Sequence, residues 1–303
     1  MKFLLTGSTG FLGSIILEAL AEEEVYTLGR KKCSISADIK HLPRELALPK
    51  VDFVIHIAGK AHVLTNTLSE EKDFFDTNVV GTKKLLANLE NGRLPKVIIF
   101  ISSVAVYGLV TGNNISENSD LLAKDPYGRS KIEAEAMIIE WAQKYEVKYL
   151  ILRLPLIAGM NPPGNLGSMI NGIKKGYYFN IGRGDAKKSI VMASDIAQLI
   201  LNISENVVSG IFNLTDGYHP SFSELSYVIA SKLNKPQPRS LPLPFVKLIA
   251  QVGDLVGSKF PLNTKMVKKI TADLTFDDSE ARKAFGWKPT LVLSGFQISE
   301  TNS

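Results

Sequence analysis

Tyr127 and Lys131 stand four residues apart in Tyr127-Gly-Arg-Ser-Lys131. On a helix that spacing puts both side chains on one face. A phenol with its ordinary pKa of ~10 is a poor base near neutrality, and a neighbouring ammonium favours the phenolate. The pair can therefore take a proton and return it. The same spacing also occurs as an exposed pair on surface helices, so a second feature must define the site. Near the N-terminus the chain reads Thr6-Gly-Ser-Thr-Gly10-Phe-Leu-Gly13. Gly7 permits a tight turn, Gly10 lets the backbone approach a pyrophosphate, and Gly13 allows close helix–strand packing. The helix that follows offers unpaired N–H groups and a positive dipole end to phosphates. A glycine triplet alone describes a plain turn. Between a strand and a helix it points to a dinucleotide.

The elements that must hold these residues alternate along the chain. Lys2 to Thr6, Val25 to Leu28, Asp52 to Ile57, Lys96 to Ser102 and Tyr149 to Leu154 are short apolar runs rich in strand formers. Phe11 to Ala21, Glu70 to Leu89 and Lys131 to Gln143 carry helical periodicity. Strands alternating with helices of this length predict an α/β fold, a doubly wound parallel sheet covered on both faces. After Pro155 the texture changes to a stretch rich in Gly, Asn and Pro from Gly159 to Gly184, which suggests loops over a ligand cleft. Beyond it, Ser194 to Ser204 reads as a helix, Gly210 to Leu214 as a strand, and Phe222 to Leu233 as a helix capped by Ser221. The expected division is a dinucleotide-binding domain over 1–160 and a smaller substrate-binding α/β lobe over 161–303. Some segments of that lobe are expected to cross back.

Composition narrows the class. The 303 residues contain 35 Lys plus Arg against 30 Asp plus Glu, 45% hydrophobic residues and one cysteine, Cys33. This is a globular composition, with no internal disulfide and a preference for a reducing compartment. No CxxC and no closely spaced His pair occurs, so no metal site is expected. The net charge of +5 comes from scattered residues, which suits an anionic small molecule better than nucleic acid. No apolar run reaches the ~18 to 20 residues needed to span a bilayer. The nearest, Leu241 to Val256, is broken by Pro242, Pro244, Lys247, Gln251, Gly253 and Asp254 and reads as an amphipathic core or surface helix. With no targeting signal at the N-terminus, the expected location is cytoplasmic.

The glycine turn and Tyr127-x-x-x-Lys131, taken together, resemble the extended short-chain dehydrogenase/reductase family of nucleotide-sugar epimerases, dehydratases and 4-keto reductases. The likeness also rests on His56-Ile-Ala-Gly59, Asn78-Val-Val-Gly-Thr82, Ser102-Ser-Val-Ala-Val-Tyr-Gly108, Gly210-Ile-Phe-Asn-Leu-Thr-Asp-Gly217 and Ala281-Arg-Lys-Ala-Phe-Gly-Trp-Lys-Pro289. Each piece is short; their order and spacing are specific. The resemblance implies a Rossmann-type sheet and a nicotinamide cofactor. It implies cofactor contacts from Gly7, Thr9, Gly10, Phe11, Leu12, Gly13, Asp38, Ile39, Ile57, Ala58, Gly59, Asn78 and Pro155. Tyr127 and Lys131 would also face the cofactor. Asn78 could equally knit neighbouring strands together.

In this family the end of the second strand separates the two cofactors. A carboxylate there binds the ribose 2′-OH, and a basic residue pairs with a 2′-phosphate. Here the turn reads Leu28-Gly-Arg30-Lys-Lys, with no acid. Arg30 therefore favours NADP(H), and NAD(H) stays open.

The resemblance makes Ser103, Tyr127 and Lys131 the catalytic set. Ser103 would bond the oxygen that alternates between carbonyl and alcohol, with Ser102 as its competitor. The implied reaction moves a hydride at sugar C4 while Tyr127 moves a proton, as a 4-epimerase or a 4-keto reductase for surface glycan synthesis. Val104-Ala105 stands where the dehydratases carry an Asp-Glu pair, which argues against that branch. Ser103, Asn165 and Leu166, with Lys188 in place of a phosphate-binding arginine, would hold a nucleotide sugar, UDP-linked by expectation. Relatives pair two helices into homodimers, which here would use Glu70 to Leu89 and Lys131 to Gln143. Leu85, Leu86, Met137, Ile138 and Trp141 would serve that interface or the core. Two other readings stay open: a reductase of a non-sugar ketone, and a non-catalytic dinucleotide-binding relative.

Overall fold

Phe3, Leu4, Leu5 and Thr6 are buried in succession, as a strand covered on both faces requires. They belong to β1 (Lys2–Thr6) in a computed structural model that describes residues 1–61, 68–256 and 262–298. The chain continues through α1 (Phe11–Ala19), β2 (Glu24–Gly29), β3 (Ile35–Ser36), β4 (Phe53–His56), α2 (Leu68–Phe75), α3 (Gly81–Glu90) and β5 (Val97–Ser103). β6 (Gly112–Ile115), α4 (Pro126–Lys144), β7 (Lys148–Leu154), β8 (Leu156–Ala158), α5 (Gly164–Lys174), β9 (Asn180–Ile181), β10 (Ile190–Met192) and α6 (Ala193–Leu201) follow. The last part comprises β11 (Gly210–Asn213), α7 (Phe222–Lys232), β12 (Ser240–Leu241), α8 (Leu243–Val256), α9 (Thr264–Thr271), β13 (Leu274–Phe276), α10 (Ser279–Phe285) and α11 (Val292–Gly295).

Seven strands form one parallel sheet in the order β11-β7-β5-β4-β1-β2-β3. This is a Rossmann-type doubly wound sheet. The chain direction across the sheet reverses between β1 and β4. Such sheets bind ligands in the crevice beyond the carboxyl ends of the strands at this reversal. Two apolar layers cover the sheet. One joins Phe3, Leu5, Phe53, Ile55 and Ile99 to α1 and α6, and the other joins Leu4, Val54, Ile98 and Phe100 to α3 and α4. Leu85, Leu86, Ile138 and Trp141 are buried in this second layer, so they serve the core of the single chain.

The segment after residue 160 returns to the sheet. β11 pairs with β7 (Gly210 opposite Leu150, Asn213 opposite Arg153), and Phe212, Ala281 and Trp287 join the first apolar layer. Three two-stranded pairs lie outside the main sheet: β8 with β10, β9 with β12, and β6 with β13. A separate core of Leu166, Met169, Ile173, Leu225, Ile229 and Phe296 gathers α5 and α7. α7 starts with the Ser221 cap its sequence predicts, and Glu224 reciprocates by accepting from Ser221 N. Among the described residues no helix is long and apolar enough to cross a membrane.

Two helices differ from their predicted bounds. The span predicted as one helix over Glu70 to Leu89 is α2 and α3 joined by a π-helical turn at Asp76–Val80, which contains Asn78. Such turns widen the helix locally and recur at functional sites. α4 begins five residues before Lys131. Asp125 caps it by accepting from Gly128 N at 3.0 Å, and Pro126 takes its first position.

Candidate active site

The early start of α4 sets the site's geometry. It puts Tyr127 in the first turn and Lys131 one turn on, beside the end of β5. Ser103 closes β5, and its hydroxyl accepts from Ala105 N at 3.2 Å, which starts the short 3-10 turn that follows. Ser102 points the other way. Its hydroxyl is buried and donates to the Glu135 carboxylate. Of the two serines, Ser103 is the one that lies beside the Tyr127 phenol.

Tyr127 is half-buried with its ring 5.9 Å from that of Phe74. Burial holds its phenol above the usual range, a hydrogen bond with the Ser103 hydroxyl offsets part of that rise, and the Asp125 carboxylate adds to it. Burial drives the Lys131 ammonium down to about 8, while Glu135 holds it up. Lys131 Nζ donates to Ile101 O at 2.8 Å and lies 4.5 Å from the centre of the Phe100 ring. The group that opposes the burial of Tyr127 is therefore Ser103. The ammonium is turned to the strand.

Beneath these residues lies a buried ion pair. Arg153 is 2% exposed and donates to both Glu135 oxygens, at 3.2 and 2.7 Å. It also donates to Tyr107 Oη at 3.1 Å and Glu117 O at 3.2 Å. Tyr107 Oη in turn donates to Asn213 Oδ1 at 2.8 Å. Glu135 and Arg153 were not among the predicted site residues. The signals were present: Glu135 follows Lys131 by one helical turn, and Arg153 interrupts an apolar strand whose charge must find a partner.

The glycine turn fits a dinucleotide. Gly7 has φ +77°, and a Cβ there would sit 2.8 Å from Ala58 N. A Cβ on Gly13 would sit 2.0 Å from Gly7 O, so α1 rests directly on the turn. Gly10 has only Gly7 O at 3.4 Å and is exposed, which leaves the approach to the turn open. The first turn of α1 has neither a side-chain cap nor an acidic residue, so its N–H groups face that opening. Thr9 is exposed, Phe11 is half-buried and Leu12 is buried.

Across the crevice, the Ile57 and Ala58 N–H groups donate to Thr6 Oγ1. Gly59 faces both Asn78 and Lys131: a Cβ there would meet Asn78 Oδ1 at 2.9 Å and Lys131 Nζ at 3.4 Å. Arg30 is exposed just past β2. The Asp38 carboxylate caps a 3-10 turn by accepting from Lys40 N at 3.0 Å, and Ile39 is buried against Gly81. Asn78 is buried, bonding Lys60 N, Lys60 O and Ser130 Oγ. Pro155 directly follows β7, half-buried.

The residues predicted for the substrate are spread more widely. Asn165 is exposed in the first turn of α5, and Leu166 is buried in that lobe's core. Lys188 is 8% exposed and its ammonium donates to Lys269 O at 2.9 Å and Ala272 O at 2.7 Å. Those carbonyls end α9, so in this structure the lysine closes a helix. Burial and the neighbouring Lys269 push it down to about 8.

The model of the NAD dependent epimerase/dehydratase family matches residues 3–215. This chain belongs to that family. The enzyme is 30% identical over 309 residues to an N-acetyl-alpha-D-glucosaminyl-diphospho-ditrans,octacis-undecaprenol 4-epimerase of Escherichia coli O157:H7. That match covers 96% of this chain and 92% of the relative. It is 27% identical to a UDP-glucose 4-epimerase of Vibrio cholerae, over 98% of this chain and 93% of that one. Its fold superposes on MoeE5 in complex with UDP-glucose and NAD with a TM-score of 0.77 at 19% identity, covering 97% and 96% of the two chains.

Proposed function

We propose that this enzyme is a 4-epimerase of a hexose carried on a diphosphate, a UDP-hexose in the first instance, working toward a surface glycan. The observation that carries the reading is the convergence of Ser103 at the end of β5 with Tyr127 and Lys131 in the first turns of α4, at the sheet end where the open glycine turn lies. Two relatives that match nearly the whole chain are 4-epimerases by name.

A bound nicotinamide dinucleotide supplies the hydride acceptor and donor at C4. Gly7, Gly10 and the first turn of α1 would hold its pyrophosphate. Tyr127 Oη, as the phenolate that the Ser103 hydrogen bond favours, would take the proton of the C4 hydroxyl as C4 is oxidised, with the Ser103 hydroxyl bonded to the substrate oxygen. After the 4-keto sugar turns its other face, Tyr127 returns the proton and no net redox change remains. Lys131 would hold the ribose hydroxyls from the floor of the site. The lobe carrying Asn165 and Leu166 would take the sugar and its diphosphate.

Arg30, exposed at the end of β2 with no acid beside it, supports NADP(H) over NAD(H). Titration of both cofactors should show tighter NADP(H) binding, narrowed or reversed in Arg30→Ala; a wild-type preference for NAD(H) removes this assignment. A 4-keto reductase is the second reading, favoured by the same arginine, because biosynthetic reductions draw on NADPH. Incubation of the purified enzyme with UDP-sugars, with and without NADPH, separates the two. Redox-neutral interconversion of C4 isomers supports the epimerase. NADPH consumed only with a 4-keto sugar supports the reductase.

A further inference from the structure

α8 is held to the protein along one narrow face. Val246, Ala250 and Gly253 are its buried residues, and the first two share a small core with Val267 of α9. Beside that face stand Phe245, Leu248, Val252, Leu255 and Val256, all exposed, with Leu255 at 88%. At about 100° per residue these five fall within a stripe roughly 100° wide along the whole helix. Single exposed apolar residues are ordinary on a protein surface, but a continuous stripe is not.

The exposed charges of α8 and α9 are mostly cationic. α9 presents Lys265, Lys268 and Lys269, all exposed, around the exposed Met266, and α8 adds Lys247. The one acid in the two helices, Asp254, accepts from Thr264 N at 3.2 Å and from the Thr264 hydroxyl, tying α9 to α8. Apolar residues on helices rich in exposed lysine complement a bilayer surface, whose acyl region takes the stripe and whose anionic headgroups take the cations. A second copy of the chain docked across a two-fold axis would bring like charges together. The 14-residue helix is too short to span a bilayer, so it would lie in the interface.

We propose that α8 and α9 form a docking surface by which this enzyme binds peripherally to an anionic lipid bilayer. The proposal holds whichever diphosphate carries the sugar. It is tested by co-sedimentation of the full-length enzyme with vesicles of phosphatidylcholine alone and with added phosphatidylglycerol. Binding is expected with phosphatidylglycerol and should weaken with salt. The Leu248→Ser/Leu255→Ser variant, altered only at exposed positions, should lose at least about tenfold in vesicle affinity while keeping wild-type cofactor affinity and turnover. Absence of binding to anionic vesicles, or equal binding by the variant, overturns the proposal. So does a wild-type dimer that the variant loses without any vesicle binding, which would assign the stripe to a contact between copies. Vesicle binding without turnover of any UDP-sugar would count against the catalytic reading alone.

Discussion

Asn78 Nδ2 donates to Ser130 Oγ at 2.8 Å, joining the π-helical turn to the helix that carries Tyr127 and Lys131. Ser130 Oγ in turn donates to Tyr127 O at 2.8 Å. On the other side, Thr82 Oγ1 donates to Asn78 O at 2.6 Å, so Thr82 Oγ1 accepts from His56 Nε2 at 2.8 Å. His56 Nδ1 is then left to accept from Thr6 Oγ1, also at 2.8 Å. Buried bonds thus run without a break from the strand before the glycine turn to the first turn of α4. They hold the glycine turn in register with the helix that carries Tyr127 and Lys131.

Asn78→Ala removes three side-chain bonds from a buried position and leaves their partners unpaired. The expected cost is about 2 kcal/mol of stability together with a fall in kcat, because Tyr127 loses part of its support. Denaturant unfolding and turnover measured side by side check this. A variant with wild-type stability and wild-type kcat would mean that the link carries nothing.

Glu135→Ala should be more severe. It strands the Arg153 guanidinium in the core and frees the Ser102 hydroxyl, for an expected loss of about 3 to 5 kcal/mol. The double variant Glu135→Ala/Arg153→Met should recover part of that loss, since no unpaired charge remains. Chemical denaturation of both proteins distinguishes a stranded charge from a simple cavity.

His56 gives the fold an acid-sensitive element. Burial, with the Lys131 charge, pushes the imidazole down to about 3 from its ordinary 6.5. Between those values the unfolded chain binds a proton that the native protein refuses, so stability falls as pH drops below 6.5. The full span corresponds to on the order of 5 kcal/mol. His56→Gln should be less stable than wild type at neutral pH. The gap should narrow by about 2 kcal/mol near pH 5, because the variant has nothing to protonate there. Denaturation curves at the two pH values read the difference directly, and a constant gap would contradict the buried neutral histidine.

The sheet, the glycine turn and the Tyr127–Lys131 pair were legible because each is a local pattern. Strand runs, turn glycines and helical spacing are properties of neighbouring residues. The start of α4 was also legible in Asp125-Pro126, a cap followed by a first-position proline, although periodicity alone placed the helix later. What could not be read depends on pairs distant in sequence. Glu135 meets Arg153 only because α4 lies across β7, and Lys188 meets the α9 carbonyls only through the fold of the second lobe. The group that favours the Tyr127 phenolate differs from the expected one for the same reason. Spacing puts Lys131 on its face of the helix, but the packing of β5 turns the ammonium to Ile101 O and leaves Ser103 as the phenol's partner. Helical periodicity over Glu70 to Leu89 likewise hid the extra residue of the π-helical turn.

The central claim is that Tyr127 carries the proton at C4. Turnover of Tyr127→Phe with the UDP-hexose that wild type interconverts, read beside its cofactor affinity, tests it most directly. Loss of the hydroxyl should lower kcat by at least about 10²-fold, the lower range for general acid–base catalysis, with cofactor affinity nearly unchanged. Near-wild-type turnover in Tyr127→Phe would contradict the account.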